Sequence, residues 1–189
     1  MFRLKVNTEI NLIFIQDSLA DRLFEIVDSN RDHLGKWFPW VSNTDSPEPI
    51  RKFIKQAIVE FSEGVSIVCA IEYQGNVIGI TSLHRINRDL KKAELGYWLA
   101  LECQGKGIIN KVSKRLVKYA FEDLNLEKVQ IHAAEGNTRS RKVCERLGAK
   151  LEGVITNAEK IDDRIVDHAV YGIHISDNQD FISKEKIKD

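Results

Sequence analysis

Four residues in the middle of the chain, Gln104-Gly105-Lys106-Gly107, open directly into a helical pattern. Ile108, Ile109, Val112, Leu116 and Val117 share one face of that pattern, and Lys111, Lys114, Arg115 and Lys118 the other. A loop of this kind leaves backbone N–H groups unpaired and aims them, with the positive end of the helix dipole, at whatever anion sits there. Gly105 and Gly107 let the backbone approach a phosphate with no Cβ in the way. The chemistry this spacing predicts is a pyrophosphate cradle. The same glycines also suit a plain tight turn before an amphipathic helix, and short glycine motifs often match by chance. Neither GxxxxGK[ST] nor GxGxxG occurs here, so a P-loop and a Rossmann fingerprint are both excluded.

Other chemistry-bearing residues are scattered. Cys69, Cys103 and Cys144 are odd in number and far apart, with no CxxC, and read as reduced thiols rather than a disulfide framework or a zinc site. His84 and His132 are able to carry protons, though a lone histidine is more often structural. Asp167 and His168 are adjacent near the start of the last expected strand, so at most one of them points into a cleft. Of the two, Asp167 is expected to structure the loop before it.

The elements that must position these residues follow from periodicity. Residues 2–15 suggest a short strand pair, and Leu19, Leu23, Ile26 and Val27 one face of a first helix. His33 to Val41 is a dense aromatic loop containing Trp37, Phe38 and Trp40, suited to closing the helix onto a sheet or walling a cleft. Pro47 to Glu63 is the clearest amphipathic helix, stopped by Gly64. Ser66–Tyr73 and Val77–Ile86 read as a hairpin through Gln74-Gly75-Asn76, followed by a third strand from Glu94 to Leu99. After the glycine loop and its helix come a strand at Val129–Ala133 and a helix at Thr138–Leu147. A closing pair of strands follows at Lys150–Asn157 and Arg164–His174. The helix before Val129 predicts a parallel neighbour for that strand.

This is an α/β (α+β) chain with a mixed sheet and helices on both faces. At 189 residues, 43% hydrophobic and 30% charged, it suits one domain over residues 1–175 with a polar, flexible tail at 176–189. The 28 basic and 28 acidic residues balance, so charge argues for neither nucleic acid nor membrane. No apolar run approaches the roughly 20 residues a spanning helix needs. The N-terminus has no signal-peptide core, and a cytoplasmic protein is expected.

With these residues in place, the chain resembles the GNAT superfamily of acyl-CoA-dependent N-acetyltransferases, and within it the RimJ/RimL-type ribosomal-protein N-acetyltransferases. The residues that carry the likeness are the Glu94–Trp98 strand, the Gln104–Gly107 loop, Asn137-Thr138-Arg139-Ser140 with Glu145-Arg146-Leu147-Gly148, and the closing Asp167…Tyr171 strand. The resemblance implies the GNAT-type fold, a central and mostly antiparallel mixed sheet. It implies acetyl-CoA as co-substrate and no metal. The pantetheine would lie where Trp98–Leu101 splay from Gln130–Ala133. The pyrophosphate would sit on backbone N–H groups of Gln104, Gly105, Lys106, Gly107, Ile108 and Ile109. Asn137 would bond the pantetheine or simply cap its helix.

The reaction implied is aminolysis of a thioester: the amine loses a proton, the thioester oxygen gains charge and the leaving thiolate is protonated. A backbone N–H near Leu99 would hold the oxygen. Many family members carry a tyrosine where Cys144 stands, so the resemblance assigns the proton donor to Ser140 and the base to Glu159, in a loop between the last two strands. Trp37, Trp40 and the Asn157–Arg164 segment would border the acceptor cleft. Glu102 in the cradle and Ala149 after Leu147-Gly148 depart from the family pattern. The acceptor expected is the N-terminal α-amine of a (ribosomal) protein. The alternatives are a small amine, such as a polyamine or aminoglycoside, and a non-catalytic acyl-CoA-binding module. The resemblance also allows a homodimer.

Overall fold

The computed structural model describes residues 3–177, so the expected tail lies outside the described residues from 178 onward. Chain order begins with β1 (Arg3–Lys5), β2 (Ile10–Phe14), α1 (Ala20–Ser29), the single-turn α2 (Arg31–Leu34) and α3 (Pro47–Ser62). Three strands follow, β3 (Ile67–Tyr73), β4 (Asn76–Asn87) and β5 (Lys92–Leu99), then α4 (Ile108–Glu122) and β6 (Lys128–Ala134). The chain closes with α5 (Thr138–Arg146), β7 (Lys150–Ile161) and β8 (Arg164–His174).

The eight strands form one sheet in the order β1-β2-β3-β4-β5-β6-β8-β7. Among the described strands only β5 and β6 run parallel, as the intervening α4 requires of a crossover. The β3–β4 hairpin turns through Gln74 and Gly75, both with positive φ (50° and 81°), the left-handed pair whose twist matches that of the flanking strands.

Two apolar cores lie against the sheet. On one face α4 and α5 set Val112, Leu116, Cys144 and Leu147 against Leu95, Leu99 and Ile131. On the other, α1 and α3 set Leu23, Val27 and Ile54 against Val68, Ile80 and the flank of Trp98. The second pair of helices packs over β3 and β4. Strand alternation therefore gives β5 two characters: Leu95, Tyr97 and Leu99 face α4 and α5, while Glu94, Gly96 and Trp98 face the other way.

The aromatic segment is no open loop. It forms α2 and a 3-10 turn over Pro39–Asn43. Arg31 holds it closed by donating to the carbonyls of Val41 and Thr44. β7 extends through Glu159, beyond the expected Asn157, and this changes where that glutamate sits.

Candidate active site

The parallel pairing of β5 and β6 is brief. Lys92, Ala93 and Glu94 pair with Lys128, Val129 and Gln130, and then the strands part. The opening thus lies between residues 95–99 and 131–134, with Gln130 still paired, one step beyond the expected position. Ala100 gives its N–H to the carbonyl of Ile78 on β4. Because successive strand N–H groups point to opposite sides, those of Tyr97 and Leu99 face the opening. A donor aimed there from a fixed strand suits an oxygen that gains charge.

The cradle sits at the end of this opening. Gly105 and Gly107 have φ of 77° and 71°, and a Cβ added at either would meet nothing within 4 Å, so both face open space. Gly107 is the N-cap of α4 and supplies no side-chain cap. The first-turn N–H groups thus have no side chain of their own to satisfy them, and the residues fit a pyrophosphate. The amide of Gln104 is the exception to the expected set. Its N–H goes to the carbonyl of Leu101, so the run available to an anion begins at Gly105. Its side chain instead bridges two elements, bonding His33 of α2 and accepting from Nη1 of Arg139 at 2.7 Å. Burial, then the charges of Arg139 and Lys36, lower the basicity of His33. The Lys106 ammonium lies 5.7 Å from the centroid of the Tyr73 ring.

Two sequence-predicted residues meet the opening from the α5 side. Asn137 caps α5, its Oδ1 accepting from the N–H of Ser140 at 3.1 Å. The Ser140 Oγ lies 2.9 Å from the phenol oxygen of Tyr97. The strand expected from Glu94 to Leu99 gives Tyr97 no role of its own. The available signal was its hydroxyl, set between Leu95 and Leu99 on one face of the strand, which needs a partner when buried. Burial and the nearby Cys144 raise the phenol's pKa strongly. Cys144 is itself buried, and its thiol is pushed up to about 12.

The opposite face of the sheet carries the proton-accepting groups. Glu159 is not in the turn between the last strands, which is Asp162-Asp163. Ile155 pairs with His168 but Glu159 with Val166, so β7 bulges in between. Asn157 has a φ of 52°, and its N–H donates to Oδ1 of Asp167 at 2.8 Å, which pins the bulge. A bulge re-aims the side chains beyond it, and the Glu159 carboxylate lies 3.3 Å from Nε2 of His168. Asp167 thus pins the β7 bulge rather than a loop, while its neighbour His168 meets Glu159 on the other side. The rings of His168 and His132 lie edge to face, 6.4 Å apart. Beyond them Glu94 lies beside His84 and Arg85. Burial opposes its ionisation, but those two partners hold its carboxyl down at about 2. Burial lowers the basicity of His132, against the pull of Glu94.

Aromatic side chains wall this face. Trp40 lies 6.1 Å from Trp98 and Phe38 5.6 Å from Trp40, ring centre to ring centre, while Trp37 stays outside the stack. Arg164, at the start of β8, donates to the carbonyl of Lys36, and Asp162 shares a cavity of about 190 Å³ with Arg31, Gly35 and Phe38. The hairpin and the aromatic segment therefore meet across the cleft. Among the described residues no cluster of His, Cys, Asp or Glu could hold a metal ion, and no helix is long and apolar enough to cross a membrane.

Comparison with known proteins agrees with this geometry. Residues 10–150 match the family described as the acetyltransferase (GNAT) domain, and the chain belongs to that family. It is 39% identical over 154 residues to a putative ribosomal N-acetyltransferase, YdaF of Bacillus subtilis, covering 81% of this chain and 84% of that one. Among solved structures it is similar to RimL, a ribosomal L7/L12 alpha-N-protein acetyltransferase in complex with coenzyme A. That match has a TM-score of 0.88 at 25% identity and covers 92% of this chain and 98% of that one. It is also similar to the microcin C7 self-immunity acetyltransferase MccE in complex with acetyl-CoA and AMP, with a TM-score of 0.87 at 26% identity, over 91% and 96% of the two chains. The chain is an N-acetyltransferase and acetyl-CoA is its co-substrate.

Proposed function

We propose that this enzyme acetylates the N-terminal α-amine of a protein, a ribosomal protein being the acceptor its relatives suggest, by direct attack within a ternary complex. The observation that carries the reading is the parting of β5 from β6, with Ser140 on one face of the sheet and the Glu159–His168 pair on the other. A thioester in that opening meets a proton donor from one side and an amine from the other. Glu159, with His168 beside it, takes the proton of the incoming ammonium. The nitrogen then attacks the thioester carbon, and the Leu99 N–H steadies the oxygen as it gains charge. The C–S bond breaks with its electron pair on sulfur, which takes a proton from Ser140, and the nitrogen releases its second proton to water. Cys144 has no part as a nucleophile, since a thiol held near 12 offers almost no thiolate at neutral pH. The aromatic wall and the β7–β8 hairpin border a cleft suited to an extended chain end.

The test is acetylation followed by mass spectrometry, offering purified enzyme and acetyl-CoA a panel of ribosomal-protein N-terminal peptides, polyamines and aminoglycosides. Acetyl on peptide α-amines alone is the expected result. Transfer only to a small amine would overturn the acceptor and leave the chemistry standing.

A further inference from the structure

An aliphatic hydroxyl is a far weaker acid than the thiol it is asked to protonate, whose ordinary pKa is about 8.5. Ser140 therefore needs help. Within a helix, a serine hydroxyl commonly turns back onto the carbonyl four residues earlier. Here the Oγ instead faces the phenol of Tyr97, 2.9 Å away and on a different element. The Ser140 backbone is held in place by Asn137. The phenol stands at the opening, three residues past the last β5–β6 pair, and borders Cys144 one helical turn beyond Ser140.

We infer that Tyr97 is a positioning residue for Ser140: its phenol donates to the serine Oγ, turns the serine proton toward the leaving sulfur and stabilises that oxygen as the proton departs. The inference rests on the assignment of Ser140 as proton donor. When the C–S bond breaks, the electron pair goes to sulfur and the Ser140 proton follows it. Charge developing on Oγ is met by the phenol hydrogen bond, and a charge-assisted bond of that kind is stronger than a neutral one. Ser140 recovers a proton from water once coenzyme A has left. Tyr97 stays protonated throughout, and its raised pKa keeps it a donor across the working range.

The experiment is a mutant cycle on the full chain with acetyl-CoA and the best acceptor peptide, reading kcat and the KM for acetyl-CoA separately. Tyr97→Phe keeps the ring that packs at the sheet and removes only the oxygen. It is expected to lower kcat about tenfold, a modest share of the 10²–10³ seen when an oxyanion-hole donor is lost, with KM changed less than twofold. The double variant Tyr97→Phe/Ser140→Ala should be no slower than Ser140→Ala alone. In a Ser140→Cys background the thiol is the better acid, and Tyr97→Phe should cost less than twofold. Unchanged kcat in Tyr97→Phe, or losses that multiply in the double variant, would overturn the inference. A Ser140→Ala enzyme of full activity would instead remove the proton-donor assignment, and the role of Tyr97 with it.

Discussion

Burial governs the three cysteines. Cys69, Cys103 and Cys144 are all buried, and desolvation raises each thiol, Cys69 and Cys144 to about 12. Alkylation needs thiolate and access, so iodoacetamide at pH 8 should leave Cys69 and Cys144 unmodified in the folded enzyme and label both in urea. Intact-mass spectrometry reads the difference, and rapid native labelling of either would contradict this packing. Glu159 lies 3.3 Å from Nε2 of His168. Glu159→Gln keeps the shape beside His168 but removes the carboxylate, and kcat is expected to fall about a hundredfold or more, within the 10²–10⁴ that general base catalysis typically contributes, while acetyl-CoA affinity holds. Equal turnover in the variant would take the base role away from it.

At the scale of elements, the cradle and the sheet depend on glycines for different reasons. Gly107→Ala meets no atom, but its backbone must hold φ at 71°, which costs an L-residue roughly 1–2 kcal/mol. The expected result is a lower melting temperature and a smaller thermal shift on adding acetyl-CoA. Gly79→Ala fails by contact. A Cβ there would come within 2.2 Å of the Trp98 carbonyl, so β5 would have to move away from β4, shifting the strand that aims the Leu99 N–H into the opening beside β6. Its turnover should fall further than that of Gly107→Ala at equal acetyl-CoA saturation, which steady-state kinetics would measure. The sequence revealed much at this scale, because α3 and α4 carry clean periods of 3.6, β3 is an apolar run, and Gly64 and Gly75 mark the end of α3 and the β3–β4 turn. The bulge in β7 was not legible. It depends on Asp167 reaching the amide of Asn157 from the neighbouring strand, and no local period encodes a cross-strand bond. Tyr97 was missed for the same reason: its partner comes from α5, forty-three positions along the chain. Glycine spacing, by contrast, marked the Gly105–Gly107 turn into α4 directly, since positive φ and an uncapped helix start are local demands.

Over the whole molecule, stability should decline with acid in two steps. His33 and His132 bind protons less readily when folded, chiefly through burial, so stability is full above the ordinary imidazole value of 6.5 and falls as the pH drops below it. Glu94 acts lower down. Its carboxyl is held at about 2 against an ordinary 4.5, so its contribution is present above 4.5 and is lost as the pH falls toward 2. Urea midpoints measured from pH 8 to pH 3 should show both declines, and Glu94→Gln should flatten the lower one while deepening the upper, because the carboxylate that raises His132 is gone.

The double grip on Gln104 has a consequence for the timing of catalysis. Its side chain is clasped by His33 and Arg139, its amide by Leu101, and the amide of Leu101 in turn by Asn30. The glycine loop is therefore held by protein contacts of its own, and acetyl-CoA binding there is expected to cost little ordering. Loading with acetyl-CoA should be a single fast phase in stopped-flow, linear in concentration, with no slower loop-closing step behind it. Gln104→Ala would loosen the loop and introduce that second phase.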